Sequence, residues 1–199
     1  MRTLILLCTA LFLIPDADAQ RRLAGRAGVV FASFAEAGDL DQSPYIAPTA
    51  GLSIRFPVLR TFDAELDLGV LPRGATGTNV LGQKSSLRFS YFDLSLLGRA
   101  HIETRNRLRF AAYAGPTVSV LLQEALEDDL DQVRTDINLS KGTHLAATVG
   151  ALAGYRDVSL DVRLVRGLST FVTDDALAGD LVSRAYVHQA LILSLGLRL

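Results

Sequence analysis

The sequence predicts an all-β protein: an eight-stranded, antiparallel, up-and-down β-barrel that crosses a membrane. Three observations lead there. The first twenty residues read as an export signal, apolar residues recur at every second position, and the connections between the alternating segments are by turns short and long. The composition also needs such an explanation. Mean hydropathy is +0.28 although 21% of the 199 residues are charged. Either the chain buries an unusual amount, or its exterior is apolar.

Met1-Arg2 forms a short basic start, Leu4 to Ile14 an apolar run, and Ala17-Asp18-Ala19 a small-x-small cleavage pattern before Gln20. Such a run is too short to span a bilayer as a helix, so residues 1–19 are expected to be a secretory signal peptide and 20–199 the mature barrel domain. A lipid-anchor Cys would stand directly after the apolar run, but Cys8 lies inside it, and no anchor is read. Cleavage would take Arg2 from the 20 basic residues and Asp16 and Asp18 from the 21 acidic ones, leaving nineteen of each. A neutral mature chain argues against nucleic-acid binding. Without cysteine it can hold no disulfide framework, thiolate nucleophile or Cys-zinc site, and no cofactor is expected.

Each strand follows from period two. The first, over 24–35, sets Ala27, Val29 and Phe31 against Arg26, and the second, over 48–56, sets Ala50, Leu52, Ile54 and Phe56 against Gly51, Ser53 and Arg55. The third, over 61–70, is the cleanest: Phe62, Ala64, Leu66, Leu68 and Val70 oppose Asp63, Glu65, Asp67 and Gly69. In the fourth, over 88–102, Phe92, Leu94 and Leu96 oppose Asp93, Ser95 and Arg99. The fifth, over 107–122, places Leu108, Phe110, Ala112, Ala114, Pro116, Val118, Val120 and Leu122 opposite Arg107, Arg109, Ala111, Tyr113, Gly115, Thr117 and Ser119. A sixth covers 145–155. In the seventh, over 157–164, Val158, Leu160, Val162 and Leu164 oppose Asp157, Ser159, Asp161 and Arg163. The last, over 187–199, sets Val187 and the leucines at 191, 193, 195, 197 and 199 against His188, Ala190, Ser194, Gly196 and Arg198.

Connections near 57–61, 102–106 and 155–157 are tight; those over 36–45, 71–86, 123–142 and 167–184 are long and polar. Such alternation in an even-stranded meander is the OmpA/OmpX-like architecture, with short periplasmic turns and long outer loops. A soluble barrel would have to turn its Phe and Leu face inward, and eight strands enclose too little space for it. Aromatic residues mark both ends: Phe56, Phe62, Phe110 and Tyr155 beside short turns, Phe34, Tyr45, Phe92 and Tyr186 beside long loops.

Several segments resemble those of the PorT-like outer-membrane barrels of Bacteroidota-type bacteria. Tyr91 to Ile102 (YFDLSLLGRAHI) is similar to a characteristic strand of that family, Ala112 to Leu122 (AYAGPTVSVLL) to its aromatic-x-Gly-Pro strand, and Arg163 to Thr170 (RLVRGLST) to a later one. Arg26 to Ser33 (RAGVVFAS) resembles its opening strand and Leu191 to Leu199 (LILSLGLRL) its closing one. Ser95 stands where the family usually has Pro, Val30 where an inward polar residue is usual, and Leu199 where a terminal aromatic normally closes the insertion signal. The resemblance implies a bacterial outer-membrane barrel assembled by the barrel assembly machinery. For some members it implies a role in protein secretion.

Charges on the inward face form the main candidate constellation: Asp63, Glu65, Asp67, Asp93 and Asp161 against Arg55, Arg99, Arg107, Arg109, Arg163 and Arg198. Buried charge must be paired, so a structural ion-pair network filling the lumen is expected, with no channel. The alternative is a selectivity lining or a carboxylate dyad. Of the three histidines, His144 is the one expected at the outer rim, near Ser140 and Asp136, where a surface hydrolase would need a base; His101 falls at a turn and His188 faces inward. No short spacing joins two histidines, and Asp129-Leu130-Asp131 lacks the Gly and distal Glu of a calcium loop, so no metal site is read. The expected role is non-enzymatic, structural or interactive. The expected partners are outer-membrane lipid and lipopolysaccharide, and an envelope or secretion protein. A lipid-modifying or proteolytic enzyme and a small-ligand-binding barrel are the alternatives.

Overall fold

The computed structural model describes residues 22–35, 42–78, 84–128, 133–134, 142–168 and 187–199. The expected signal segment, Tyr186, and Asp136 and Ser140 beside the rim histidine lie outside them. Among the described residues nine strands are formed: β1 (Arg22–Ala35), β2 (Gln42–Leu59), β3 (Phe62–Thr78), β4 (Lys84–Glu103), β5 (Leu108–Asp128), β6 (Val133–Arg134), β7 (Thr143–Tyr155), β8 (Val158–Gly167) and β9 (Val187–Arg198). Eight are staves. They run β4-β3-β2-β1-β9-β8-β7-β5, and β5 pairs back onto β4 to close an all-antiparallel barrel, while the two-residue β6 rests on the far end of β5.

Closure satisfies both edges of every stave, which hydrocarbon requires because it offers no hydrogen bonds of its own. Side chains then sort by parity. Along β3, Asp63, Glu65, Asp67 and Gly69 are buried inside, whereas Phe62 and Val70 are exposed on the outer wall. The same parity turns Leu191, Leu193, Leu195 and Leu197 of β9 outward, and Val158, Leu160 and Val162 of β8. Together they form the apolar band expected of a lipid-facing surface. Phe62, Phe110 and Tyr155 are exposed beside the short turns, and Phe92 faces out nearer the other end.

The short connections fall where predicted. Arg60-Thr61, residues 104–107 and Arg156-Asp157 make the turns, and Arg107 (φ 61°) and Arg156 (φ 54°) adopt the left-handed backbone that tight hairpins need. Three of the long connections are shorter than the polarity of the sequence implies. β2 begins at Gln42, β3 continues to Thr78, β4 starts at Lys84 and β5 reaches Asp128. The β3–β4 ladder runs unbroken from Phe62↔Ala100 to Thr78↔Lys84. Backbone pairing does not depend on side-chain polarity, so a hairpin extends past the apolar band after the alternation that reveals it has faded. Among the described residues the staves are consequently unequal: β3, β4 and β5 have 17, 20 and 21 residues, against 10 in β8 and 12 in β9.

Glycine and proline act at close approaches. In the Gly115-Pro116 pair, proline has no N–H to donate, and the β4–β5 ladder steps from Ser95↔Thr117 to Gly98↔Ala114 without including either residue. Gly150 lies directly across from Tyr113, whose ring covers the space a Cβ would fill. The ring has nowhere to retreat, since its hydroxyl donates to Asp161 and accepts from Arg163 Nε. Replacing Gly150 by Val is expected to destabilise the barrel by about 1–3 kcal/mol, as overpacking generally does. Urea unfolding in micelles checks this, with Gly142→Val as the control, because nothing lies within 4 Å of a Cβ there.

Candidate functional site: the ion-paired lumen

The inward faces of β1 to β5, β7 and β8 converge on a stack of charges. At the short-turn end, His101 Nδ1 lies 3.3 Å from Asp63 Oδ2. One layer up, Glu65 Oε2 accepts from Arg99 Nη1 at 2.8 Å and pairs with Arg55 Nε at 3.3 Å. Asp67, 1% exposed, is clamped between two guanidiniums. Arg26 donates to it through Nε at 3.1 Å and Nη2 at 2.5 Å, and Arg163 through Nη1 at 3.0 Å and Nη2 at 3.3 Å. Arg163 Nη2 also reaches Asp161 Oδ2 at 3.4 Å, so one chain of contacts joins β1, β3, β5 and β8 across the lumen.

Above this lie hydroxyls: Thr117 bridges Ser95 at 2.8 Å and Thr148 at 2.6 Å. Arg73 then donates to Asp93 Oδ2 at 2.7 Å and Ser119 Oγ at 2.9 Å, with its guanidinium 4.7 Å from the Tyr91 ring centroid. Tyr91 stands edge-on to His144 and His188, and Phe89 edge-on to His188. Among the described residues the pairs enlist five carboxylates (Asp63, Glu65, Asp67, Asp93, Asp161) and five guanidiniums (Arg26, Arg55, Arg73, Arg99, Arg163). The equality matters, because an unmatched buried charge costs several kcal/mol.

Eight of the eleven residues singled out from the sequence lie in this stack. Three do not. Arg107 occupies the left-handed position of the β4–β5 turn and is exposed; parity no longer governs a residue once the strand has ended. Arg109 is half-buried at the rim and donates to the Arg156 carbonyl. Arg198, at the last position of β9, is half-buried at the same end of the barrel. Two arginines were absent from the predicted set. Arg73 falls in the polar stretch 71–86, where the apolar alternation has faded, although the inward parity of Asp63, Glu65, Asp67 and Gly69 continues through Leu71 to reach it. Arg26 carried the inward parity, but its reach depends on Gly51 and Gly69, partners across β2–β3, which leave its guanidinium room to pass; Cβ atoms there would lie 2.8 Å from its Nη2.

The lumen is also less uniformly polar than predicted. Val30, Ala32, Ala47, Leu71, Ala146, Val165, Ala190 and Ile192, from β1, β2, β3, β7, β8 and β9, form a buried apolar cluster within it. Strict parity sends Val30 and Ile192 inward whatever their chemistry. His144 does not sit on the rim: it is 4% exposed, inside the barrel, with its ring centroid 5.7 Å from that of His188. Two small internal voids lie among the described residues. One of about 10 Å³ lies beside Asp67, Asp93 and Arg163, and one of about 20 Å³ beside Glu65, Arg99 and Tyr113. Each is of the order of a single water.

Residues 18–172 match the family described as outer membrane protein beta-barrel domain. Among curated protein sequences none matches the chain. Among solved structures, OprG from Pseudomonas aeruginosa is similar at 12% identity and TM-score 0.49, covering 91% of this chain and 97% of that one. Ail of Yersinia pestis is similar at 9% and 0.47, covering 90% and 99%. The N-terminal barrel of P. aeruginosa OprF is similar at 13% and 0.42, covering 90% and 100%.

The Arg73–Asp93 pair offers a clean energetic test of the lumen. Arg73→Met or Asp93→Leu alone is expected to cost about 3–5 kcal/mol, because the partner is left buried and uncompensated, whereas the double variant regains most of that loss. A double-mutant cycle by denaturant unfolding in micelles measures it.

Proposed function

The chain belongs to the outer membrane protein beta-barrel domain family and is a bacterial outer-membrane protein, and we propose that it acts there as a non-conducting, non-enzymatic interaction barrel. One observation carries this reading: among the described residues, from the Asp63 layer to the Arg73 layer, the lumen is occupied by paired charges, hydroxyls and apolar side chains, and the spaces beside Asp67 and Glu65 measure about 10 and 20 Å³. That leaves no path for hydrated ions and no chamber for a small ligand. Function then belongs to surfaces that face outward. The tall β2–β5 side, which outreaches the rest by several residues per strand, is the natural platform for a protein partner in the envelope.

Within that reading the partner is a component of protein export, as in the PorT-like barrels that the segments at 91–102, 112–122 and 163–170 resemble. Lipopolysaccharide surrounds the outer half of the wall, and the barrel assembly machinery inserts the chain. Residues 1–19 act as the export signal, and mass spectrometry of the protein from outer-membrane fractions is expected to find Gln20 at the N-terminus.

Purified barrel in planar bilayers is expected to show no stable ion conductance, and reproducible multi-ion currents would sink the closed-lumen reading. Photo-crosslinkers at Ser43 and Arg88, on the tall side, are expected to trap an envelope protein in cells. A deletion strain is expected to accumulate secreted proteins in the periplasm; normal secretion would remove the export assignment while leaving the closed barrel standing.

A further inference from the structure

The outer wall is not evenly convex. At the short-turn end of β4, β5, β7 and β8 lies an apolar groove of about 720 Å³, within the roughly 300–1,000 Å³ of sites that hold small organic ligands. Register explains it. Ala100, Ala112 and Ala151 are consecutive cross-strand partners, so three strands in a row present only a methyl group. Val162 continues that row on β8, and Phe62 bounds it on β3, its ring folded over Gly98. In the next row, nearer the turns, Phe110 and Leu160 stand on either side of Ala153. The result is a trough with a small-residue floor and bulky walls, open to lipid along its length.

The mouth of the trough is charged. Thr61 of the β2–β3 turn lines it, beside Arg60; the β4–β5 turn, which joins two of its strands, carries Arg105 and Arg107; the β7–β8 turn carries Arg156. All four arginines are exposed; the acidic residues beside them are Asp157, in the β7–β8 turn, and Glu103, the last residue of β4. Arg156 also lies 5.2 Å over the exposed Tyr155 ring, at the level where an aromatic side chain meets headgroups. An apolar trough with a cationic mouth at one membrane face matches a molecule with an acyl chain and a phosphate.

We propose that this groove is a binding site for an anionic phospholipid of the leaflet at the short-turn side, its acyl chain lying on Ala100, Ala112 and Ala151 and its phosphate held by the turn arginines. A second copy of the chain fits less well. Two copies inserted the same way would bring the same arginine-bearing turns together at the same depth, where like charges repel. The proposal rests on the outer-membrane location alone and is independent of the secretion reading.

The test is native mass spectrometry of the full protein, purified from outer membranes, in micelles doped equally with dioleoyl phosphatidylglycerol or dioleoyl phosphatidylcholine. The wild-type barrel is expected to retain one phosphatidylglycerol in preference to phosphatidylcholine. Ala112→Leu with Ala151→Leu, which fills the trough, is expected to abolish retention of both lipids. Arg105→Gln with Arg107→Asn is expected to lower phosphatidylglycerol occupancy by roughly fivefold per arginine removed. Asn suits the left-handed backbone of Arg107. This exposed-turn pair keeps the test decisive should the groove-filled variant fail to fold, as judged by heat-modifiable gel mobility. Equal retention of the two lipids by wild type, or undiminished retention in either variant, overturns the proposal. So does a dimer that the groove-filled variant abolishes, which would make a second copy the occupant.

Discussion

Hydrocarbon cannot satisfy a backbone amide, and every other feature of this protein descends from that constraint. Edges must be paired, so the sheet closes; with eight staves the enclosure is narrow; with alternating side chains, every second residue is committed to it. The chain has no freedom to decide residue by residue what goes inside. Val30 and Ile192 are inside because their neighbours Val29 and Leu191 are outside. The same rule carries Asp67 to the middle of the barrel, where its charge must be answered.

The answer is a lattice rather than a set of isolated pairs. Asp67 is shared by Arg26 and Arg163, Glu65 by Arg55 and Arg99, and Arg163 is itself shared by Asp67, Asp161 and the Tyr113 hydroxyl. Buried pairs gain little net energy over apolar packing, since desolvation offsets most of the attraction. Their consequence here is directional. A guanidinium that reaches from β1 past Gly51 and Gly69 to a carboxylate on β3 fits one register only. A slip by a single residue would turn the charged face of a strand into lipid. The lattice thus penalises wrong pairings more than it rewards the right one.

The ion-paired interior serves the fold, and the outer surface differs from one end to the other. The short-turn end is compact and arginine-bearing, with an alanine-floored trough in the apolar wall above it. At the other end the β3, β4 and β5 ladders extend well beyond β8 and β9. The extended ladders present backbone pairing at one end, and a smooth trough presents methyl groups to lipid at the other. The two surfaces suit different classes of partner.

The sequence by itself determined the barrel. Period two in Phe62 to Val70 and the alternation of tight and long connections specify strand count, membrane orientation of the faces and eight of the lumen charges, because parity is a local property of an extended chain. It failed where parity loses its meaning or its visibility. Arg107 sits in a turn, and Arg73 lies past the point where apolar alternation fades although the ladder continues. Which charges meet was never legible: Arg26 and Asp67 are 41 residues apart, Arg163 and Asp67 96 apart, and their meeting depends on register summed around a closed ring. His144 shows the same limit, since only closure brings its ring beside Tyr91 and His188 and off the rim. The groove is likewise tertiary: Ala100, Ala112 and Ala151 are unremarked single residues until three strands align them in one row. Local alternation decides which face a side chain takes, and only the closed sheet decides what it faces.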